Sequence, residues 1–482
     1  MAIACRCVAV YVTVLGRASS SGWRQGSRER TMGKVLQRVL GGLAGVLLLV
    51  VVVLLISWLW PLSTAQKRAL AALEAPRDLP GSNAYATLAT LGMEGPLAQR
   101  QALMEEHARQ FEAWYADQYV PGFIRGDAED KAGTPPPLPG ESGPSPAADT
   151  VLCGSGDAAG CLDAVRSRPQ AVAAALVPHA TLLARMDELA LHGHYRSPLT
   201  QMGATPWPGM RQLMVPLSAH ALAHVQGDSA RAMAGLCRDA GSGRMLMTQG
   251  ENLLMTMTGS AMLAANAKMF AAVLAELPLD APLPAGCGKA FAPLSADEAS
   301  VCNGMRGEFA MQRGFAALMD RKIEDSQRHM RLFYSSRKTL ARQAEFLGES
   351  CLPETRQAIA EDRKLTIPSV PASAWWQPQC LTNAIGCILG DIARPAYQGY
   401  GHRQQDTAAQ LRLLQSVLWL RGQAVQGTPA PLAERLDNLP AGLRSAYRPI
   451  TPSADGTTLE TPAYGKDGQM LRMPLPQALS SR

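Results

Sequence analysis

Between Leu40 and Trp60 the sequence runs LGGLAGVLLLVVVVLLISWLW, without a single charged residue. As a helix rising ~1.5 Å per residue this stretch reaches ~31 Å, which matches a bilayer hydrocarbon core of ~30 Å. Two fates are open to such a segment: removal as an export signal, or retention as an anchor. A secretory hydrophobic region is shorter, ~7–15 residues, and ends at small residues. This run ends in Trp58, Leu59, Trp60 and Pro61, and indole rings settle at the headgroup level of a membrane. Small residues follow only at Ser63-Thr64-Ala65. No cysteine follows closely enough for a lipoprotein anchor. The segment therefore reads as a retained single-pass helix, with the lipid bilayer as the partner of Leu40 to Trp60.

Charge on the flanks sets the expected orientation. Arg6, Arg17, Arg24, Arg28, Arg30, Lys34 and Arg38 precede the run, opposed only by Glu29, a net +6. Basic flanks stay on the cytoplasmic side, so the N-terminus is expected inside, although Lys67 and Arg68 on the far flank soften the contrast. The whole chain also carries +6, so everything after Arg38 is formally neutral. The sequence pI of about 8.8 is thus the property of a short tail. It gives no support to nucleic-acid binding, which needs a basic face on a folded domain. Met32 opens MGKVLQRVLGG, an ordinary beginning for such an anchor. Residues 1–31 read as a stretch upstream of the true start, or as disordered.

The chain has 482 residues, 47% hydrophobic but only 5% aromatic. Ala, Leu and Met supply most of the apolar content, and these residues favour helix. The expected class is all-α, with an irregular body of stacked helix–turn–helix units and a small β or irregular C-terminal tail. Eight cysteines lie beyond the apolar run: Cys153, Cys161, Cys237, Cys287, Cys302, Cys351, Cys380 and Cys387. An even number in an oxidising compartment points to disulfides. Eight cysteines permit 105 connectivities; because short loops close most easily, the pairing taken as a first expectation is Cys153 with Cys161, Cys287 with Cys302 and Cys380 with Cys387, which leaves Cys237 for Cys351. No CxxC occurs, so neither a zinc ribbon nor a thioredoxin-type redox site is signalled.

Along the chain, residues 1–38 form the basic segment, 39–61 the membrane helix, 62–120 juxtamembrane helices, 121–150 a Pro/Gly-rich linker or loop, 151–427 the helical body and 428–482 the tail. An amphipathic helix is predicted over Leu97–Tyr119, since Leu97, Leu103, Met104, His107, Phe111 and Trp114 share a period near 3.6. GTPPPLPGESGPSP from Gly133 to Pro146 forbids helix or central strand. In the body, helices are predicted over Leu162–Ala174, Ala180–His192 and Gly209–Gln226, with Pro216 breaking the last. Gly227 suits a left-handed cap, and Asp228 or Ser229 the next N-cap. Helices over Ser229–Asp239, Arg244–Thr258 and Gly259–Leu277 follow. After a Pro-rich connector over Pro278–Pro293 come Ser295–Asp320, Tyr334–Glu345, Leu352–Asp362, Gln379–Ile392 and Gln404–Gln426. Turn signals at Asp455-Gly456 and Asp467-Gly468 predict a small hairpin in the tail. The Gly-Asp corner is similar to that of tetratricopeptide units, but no period near 34 residues supports a regular array.

Three stretches, NAIGCILGDIARPAYQGYGHRQQDTAAQLRLLQSVLWLRGQ, CNGMRGEFAMQRG and HVQGDSARAMAGL, carry a diffuse resemblance. Together they resemble a family of proteobacterial envelope proteins with one N-terminal membrane helix, a helical exported body and a short Pro/Gly/Tyr-rich tail. The resemblance covers most of the chain from Met32. It implies architecture and location, and carries no activity, ligand or catalytic residue.

Local motifs for chemistry are few. Ser335-Ser336-Arg337-Lys338 fits SxxK, the nucleophile motif of penicillin-recognising enzymes, but the accompanying KTG and S-x-N elements are missing. An ordinary polar helix start is the preferred reading. His220 and His224 sit at i and i+4, on one helix face, as a pair of metal ligands would. A third ligand would have to come from Asp228, Glu188, His192 or His194, and there is no HExxH. Met245, Met247, Met255, Met257, Met262 and Met269 offer soft thioethers suited to Cu(I). The seven-residue recurrence of Met255, Met262 and Met269, however, marks a packing seam. Trp375-Trp376 is a pair suited to stacking on sugars, to anchoring a partner, or to covering a core. GxSxG, P-loop and GxGxxG patterns in their required contexts are absent.

Together these features predict a protein of the bacterial inner membrane, N-terminus cytoplasmic and body periplasmic. No cofactor is indicated. The expected function is a non-enzymatic interaction or scaffold module with an envelope protein partner. An envelope hydrolase is the alternative, followed by a copper handler built on His220, His224, Met255 and Met257.

Overall fold

Glycine and β-branched residues do not interrupt the first helix. In the computed structural model α1 spans Gln25–Leu59, 35 residues, or ~52 Å of axis at ~1.5 Å per residue. It is longer than the uncharged run at its N-terminal end, taking in Met32 and the basic residues from Arg28 onward. The structure describes residues 25–126, 133–140, 151–154, 158–366, 377–397, 399–427 and 431–480. The chain divides into two units, Met1–Trp60 and Pro61–Arg482. In the first, the apolar side chains from Leu40 to Leu59 stand exposed on all sides of the helix.

The second unit is the helical body with its small C-terminal sheet. It opens with α2 (Thr64–Glu74), started by a capping box in which Ser63 and Gln66 satisfy each other's backbone amides. The amphipathic helix α3 runs over Leu97–Trp114 and continues through one π-helical turn, Tyr115–Tyr119. The described part of the Pro-rich segment that follows, residues 133–140, packs on the body. Pro136 accepts a hydrogen bond from His107 Nε2 at 3.0 Å, and Leu138 is buried in the core. Pro169 splits the helix predicted over Leu162–Ala174 into Ala158–Ser167 and Pro169–Leu176. Pro216 sits at the start of α4 (Val215–Val225) and converts the preceding turn to 3₁₀ helix. Gly227 adopts the left-handed conformation expected of it, with φ +93°, and the Asp228 carboxylate accepts the Arg231 amide at 3.0 Å.

The centre of the body is a pair of long helices, α5 (Ser229–Gln249) and α6 (Leu253–Ala275). Sequence reasoning breaks this stretch at Gly241–Gly243 and at Gly259, whereas the helices run straight through and the break falls at Gly250–Asn252. The glycines serve packing, not termination. A Cβ on Gly259 would meet Met247 N at 2.3 Å and Gly243 O at 2.5 Å, so the two helices cross backbone against backbone. Met255, Met262 and Met269 are fully buried along the seam, and Asn252 caps α6 through the Met255 amide at 3.0 Å.

Four disulfides tie the body together: Cys153–Cys161, Cys237–Cys287, Cys302–Cys351 and Cys380–Cys387. The two local bridges agree with the expected pairing. The other two exchange partners, because the Pro-rich connector folds back on α5 instead of reaching forward. Its Phe291 lies 4.9 Å from Phe270, ring centre to ring centre, and this burial carries Cys287 to Cys237.

Beyond the connector come α7 (Cys302–Asp325), which begins seven residues later than the predicted Ser295 start, α8 (Ser336–Leu347), α9 (Ala384–Tyr397) and α10 (Tyr400–Val425). Glu298 precedes α7 and pairs with Arg244 at 2.7 Å. The tail forms an antiparallel sheet in the order β1 (Thr451–Pro452), β2 (Thr458–Pro462), β3 (Met470–Pro474). Leu459 and Met473 face each other across it, both fully buried. One cation fastens the tail to the helices: the buried Arg448 guanidinium bonds Asp362 and reaches Asp406 Oδ1 at 2.8 Å. The Tyr464 ring stacks 3.8 Å from that guanidinium, and Arg412 shares Asp362.

Candidate functional site

A cleft of about 270 Å³ opens where the stretch just before α7, α8, the turn after α8, α9 and the start of α10 meet. Its apolar floor is Val301, Met305, Phe346, Leu365 and Tyr397; its walls carry Glu345, Glu349, Arg363, Arg394 and His402. The Cys302–Cys351 disulfide fixes one wall. Val301 and Ser350, neighbours of the two half-cystines, both line the cleft, and Ser300 Oγ donates to the Ser350 carbonyl at 2.9 Å.

Glu345 and Glu349 lie four residues apart, Glu345 in the last turn of α8 and Glu349 just beyond it. Burial pushes both carboxyls above the usual carboxylate range, opposed by Arg394 in each case and by Arg342 and Gln66 at Glu345. Arg394 lies over the Phe346 ring at 5.5 Å, and burial lowers its own pKa. Tyr397 packs on the same ring at 5.8 Å. Its hydroxyl donates to Glu308 Oε2 at 3.1 Å, and burial, with Glu308 beside it, pushes the phenol up to about 12. His402 Nε2 donates to the Leu365 carbonyl at 2.7 Å, which fixes that tautomer and commits that nitrogen to the fold. The cleft thus offers an apolar floor, an aromatic face and two carboxyls poised to accept hydrogen bonds or to pair with a cation.

The residues singled out in the sequence go elsewhere. His220 Nε2 pairs with Asp239 Oδ2 at 2.7 Å, and Arg238 Nε donates to the other oxygen at 2.7 Å. His224 instead bonds Ser229 Oγ at 2.8 Å and Glu276 Oε2 at 3.0 Å. One helix face therefore feeds two separate networks. Glu188 is held by the buried Arg100 at 2.5 Å, and His192 lies between Ser82 and Thr87, 2.8 Å from each hydroxyl. His194 Nδ1 donates to the Pro80 carbonyl at 2.9 Å. Among the described residues no group of three or more His, Cys, Asp or Glu side chains is placed to hold a metal. Met255 packs in the core, and Met257 joins the apolar cluster of α2 and α7. Ser335 caps α8 through the Lys338 amide, while Lys338 Nζ donates to Thr382 Oγ1 at 2.9 Å; the SxxK match is a helix start. Trp375 and Trp376 lie outside the described residues.

Sequence reasoning passes over the cleft. Glu345 and Glu349 belong to one stretch and Arg394 to another, and only the i, i+4 spacing of the glutamates was there to be seen. No protein-family profile, curated protein or solved structure matches the chain. Fold and site together define an all-α, disulfide-tied body behind an apolar N-terminal helix.

Proposed function

We propose that the chain is a membrane-tethered interaction module of the bacterial envelope. Its N-terminus lies in the cytoplasm, α1 crosses the inner membrane, and the body works in the periplasm. The uncharged, exposed face of α1 and the basic residues before it support this topology. Four disulfides support an oxidising compartment.

The observation that carries the functional reading is the Glu345–Arg394 cleft. At about 270 Å³ it falls at the lower edge of ligand pockets, which run from ~300 to ~1,000 Å³. That volume suits one or two side chains of a protein partner better than a large cofactor. An apolar group ending in an amine or amide donor would fill the floor and meet Glu345 and Glu349. Crosslinking in intact cells, followed by affinity purification of the tagged chain, tests this. One dominant envelope partner is expected, retained when only the anchor is exchanged and lost in a Glu345→Gln/Glu349→Gln variant. Absence of any reproducible partner contradicts the reading. The raised carboxyl pKa values favour one second reading, an envelope hydrolase with Glu345 or Glu349 as general acid. Turnover abolished by Glu345→Gln would select it.

A further inference from the structure

The helix α9 is amphipathic in the inverse sense. Its small residues face inward: Gly386, Cys387 and Gly390 are buried. A Cβ on Gly386 would fall 1.9 Å from Thr339 Oγ1, so α9 lies tightly on α8 along a glycine face. The large residues face out. Ile388 is 58% and Ile392 71% exposed, with Leu389 between them also exposed. The patch continues onto the neighbouring 3₁₀ turn, where Leu332 and Phe333 are exposed and the Phe333 carbonyl accepts the Ile385 amide at 3.0 Å. A soluble helix with this composition would turn its Ile and Leu residues inward. Here the Cys380–Cys387 bridge and the glycine contact hold them out.

We infer that this patch rests on the bilayer surface as a second membrane contact of the body, recognising anionic lipid. Two features of the body select lipid as the occupant. The first is reach. Gln66 Nε2 donates to Gln379 Oε1 at 3.2 Å, and Gln379 stands five residues before α9. Six residues separate Gln66 from Trp60, the end of the apolar run, and an extended chain of that length spans at most ~20 Å. The segment just before α9 is thereby bonded to a residue only six positions beyond the apolar run. The second is charge. Arg328, Arg331 and Arg337 are exposed beside the patch in sequence, outnumbering the exposed acids there, Glu324, which pairs with Arg331 at 3.0 Å, and Asp325. The acid on α9, Asp391, is turned to Arg342 at 2.7 Å. A basic rim around a bulky apolar centre is the pattern of an interfacial helix on anionic headgroups. The inference rests on α1 being a retained anchor.

The test is site-specific photocrosslinking of the full chain in nanodiscs of phosphatidylglycerol or of phosphatidylcholine. The photoreactive residue replaces Ile388 or Ile392, and the exposed Leu191 serves as control. Lipid adducts are expected at positions 388 and 392 but not 191. They should fall by roughly ten-fold in phosphatidylcholine and in an Arg328→Glu/Arg331→Glu variant, since each basic residue near an anionic surface contributes on the order of 1 kcal/mol. Unchanged thermal melting of that variant excludes a folding defect. Adducts to protein, a second copy included, overturn the inference, as do equal lipid yields at 388 and 191. A chain that does not enter nanodiscs at all overturns the anchor and this contact with it. A chain that enters without lipid adducts overturns the contact alone.

Discussion

Among the described residues two helices are long and apolar enough to cross a membrane, α1 and α6, yet they occupy opposite environments. The most apolar stretch of α1 is wholly exposed, whereas two-thirds of the corresponding stretch of α6 is buried. The difference lies in the polar residues. Leu40 to Leu59 carries no group that needs a specific partner beyond Ser57. The helix α6 carries Thr256, Ser260, Asn266 and Lys268 among its apolar residues. The fold answers most of these directly: Ser260 Oγ meets Thr407 Oγ1 at 2.7 Å, and Asn266 Nδ2 donates to the Met262 carbonyl at 2.8 Å. Both helices pass on length and composition, although α1 is the longer and by far the more apolar. Glycine against a partner backbone and polar groups with protein partners distinguish the core helix α6, while freedom from any such need distinguishes α1.

Charge in either helix gives the largest effect, with opposite consequences. Leu48→Arg with Val51→Arg places two cations at the centre of α1, at ~2.5–3.5 kcal/mol each. The chain should leave the membrane fraction on alkaline extraction while the body keeps its melting temperature. Met262→Asp buries an unpaired carboxylate in α6, a change of at least ~4 kcal/mol. It should abolish the protease-resistant body and leave membrane retention intact.

Disulfide loss ranks next. Cys237→Ser with Cys287→Ser unties the connector after α6 from α5 and should cost ~2–4 kcal/mol, read by denaturant unfolding, with no effect on membrane retention. A methyl group separates the helices more finely. Gly259→Ala should destabilise the body by ~1–3 kcal/mol through overpacking. In α1, nothing lies within 4 Å of a Cβ on Gly45, so Gly45→Ala should leave the melting of the body unchanged.

A pH slope is expected beside the N-terminus of α6. Burial raises the Glu251 carboxyl from 4.5 to about 7. Oε2 accepts the Ser197 amide at 2.8 Å, and Oε1 has no partner among the described residues. Because the folded value exceeds the unfolded one, this group's contribution is full below about pH 4.5 and is lost as pH rises through 7. Thermal melts between pH 5 and pH 8 should fall with pH in the native chain and flatten in Glu251→Gln.

Fold class was legible because Ala, Leu and Met at helical spacing leave little alternative, and caps such as Gly227-Asp228 act locally. Helix ends set by tertiary contact were not. Gly243 and Gly259 look like breakers until a partner backbone is known to lie against them. The exchange of Cys287 and Cys351 partners follows from Phe291 packing on Phe270, which no spacing rule contains. The cleft was hidden for the same reason: Glu345, Arg394 and His402 meet only after α8, α9 and α10 pack. His220 and His224 show the converse, a suggestive spacing that the fold divides between Asp239 and Glu276.

The central claim, an anchored chain with an exported body, is tested most directly by protease added to spheroplasts of a Gram-negative host expressing a chain tagged at each end. The account predicts that the C-terminal tag is digested while the N-terminal tag stays protected and sediments with the membrane after alkaline extraction. Protection of the C-terminal tag until the cells are lysed would contradict it.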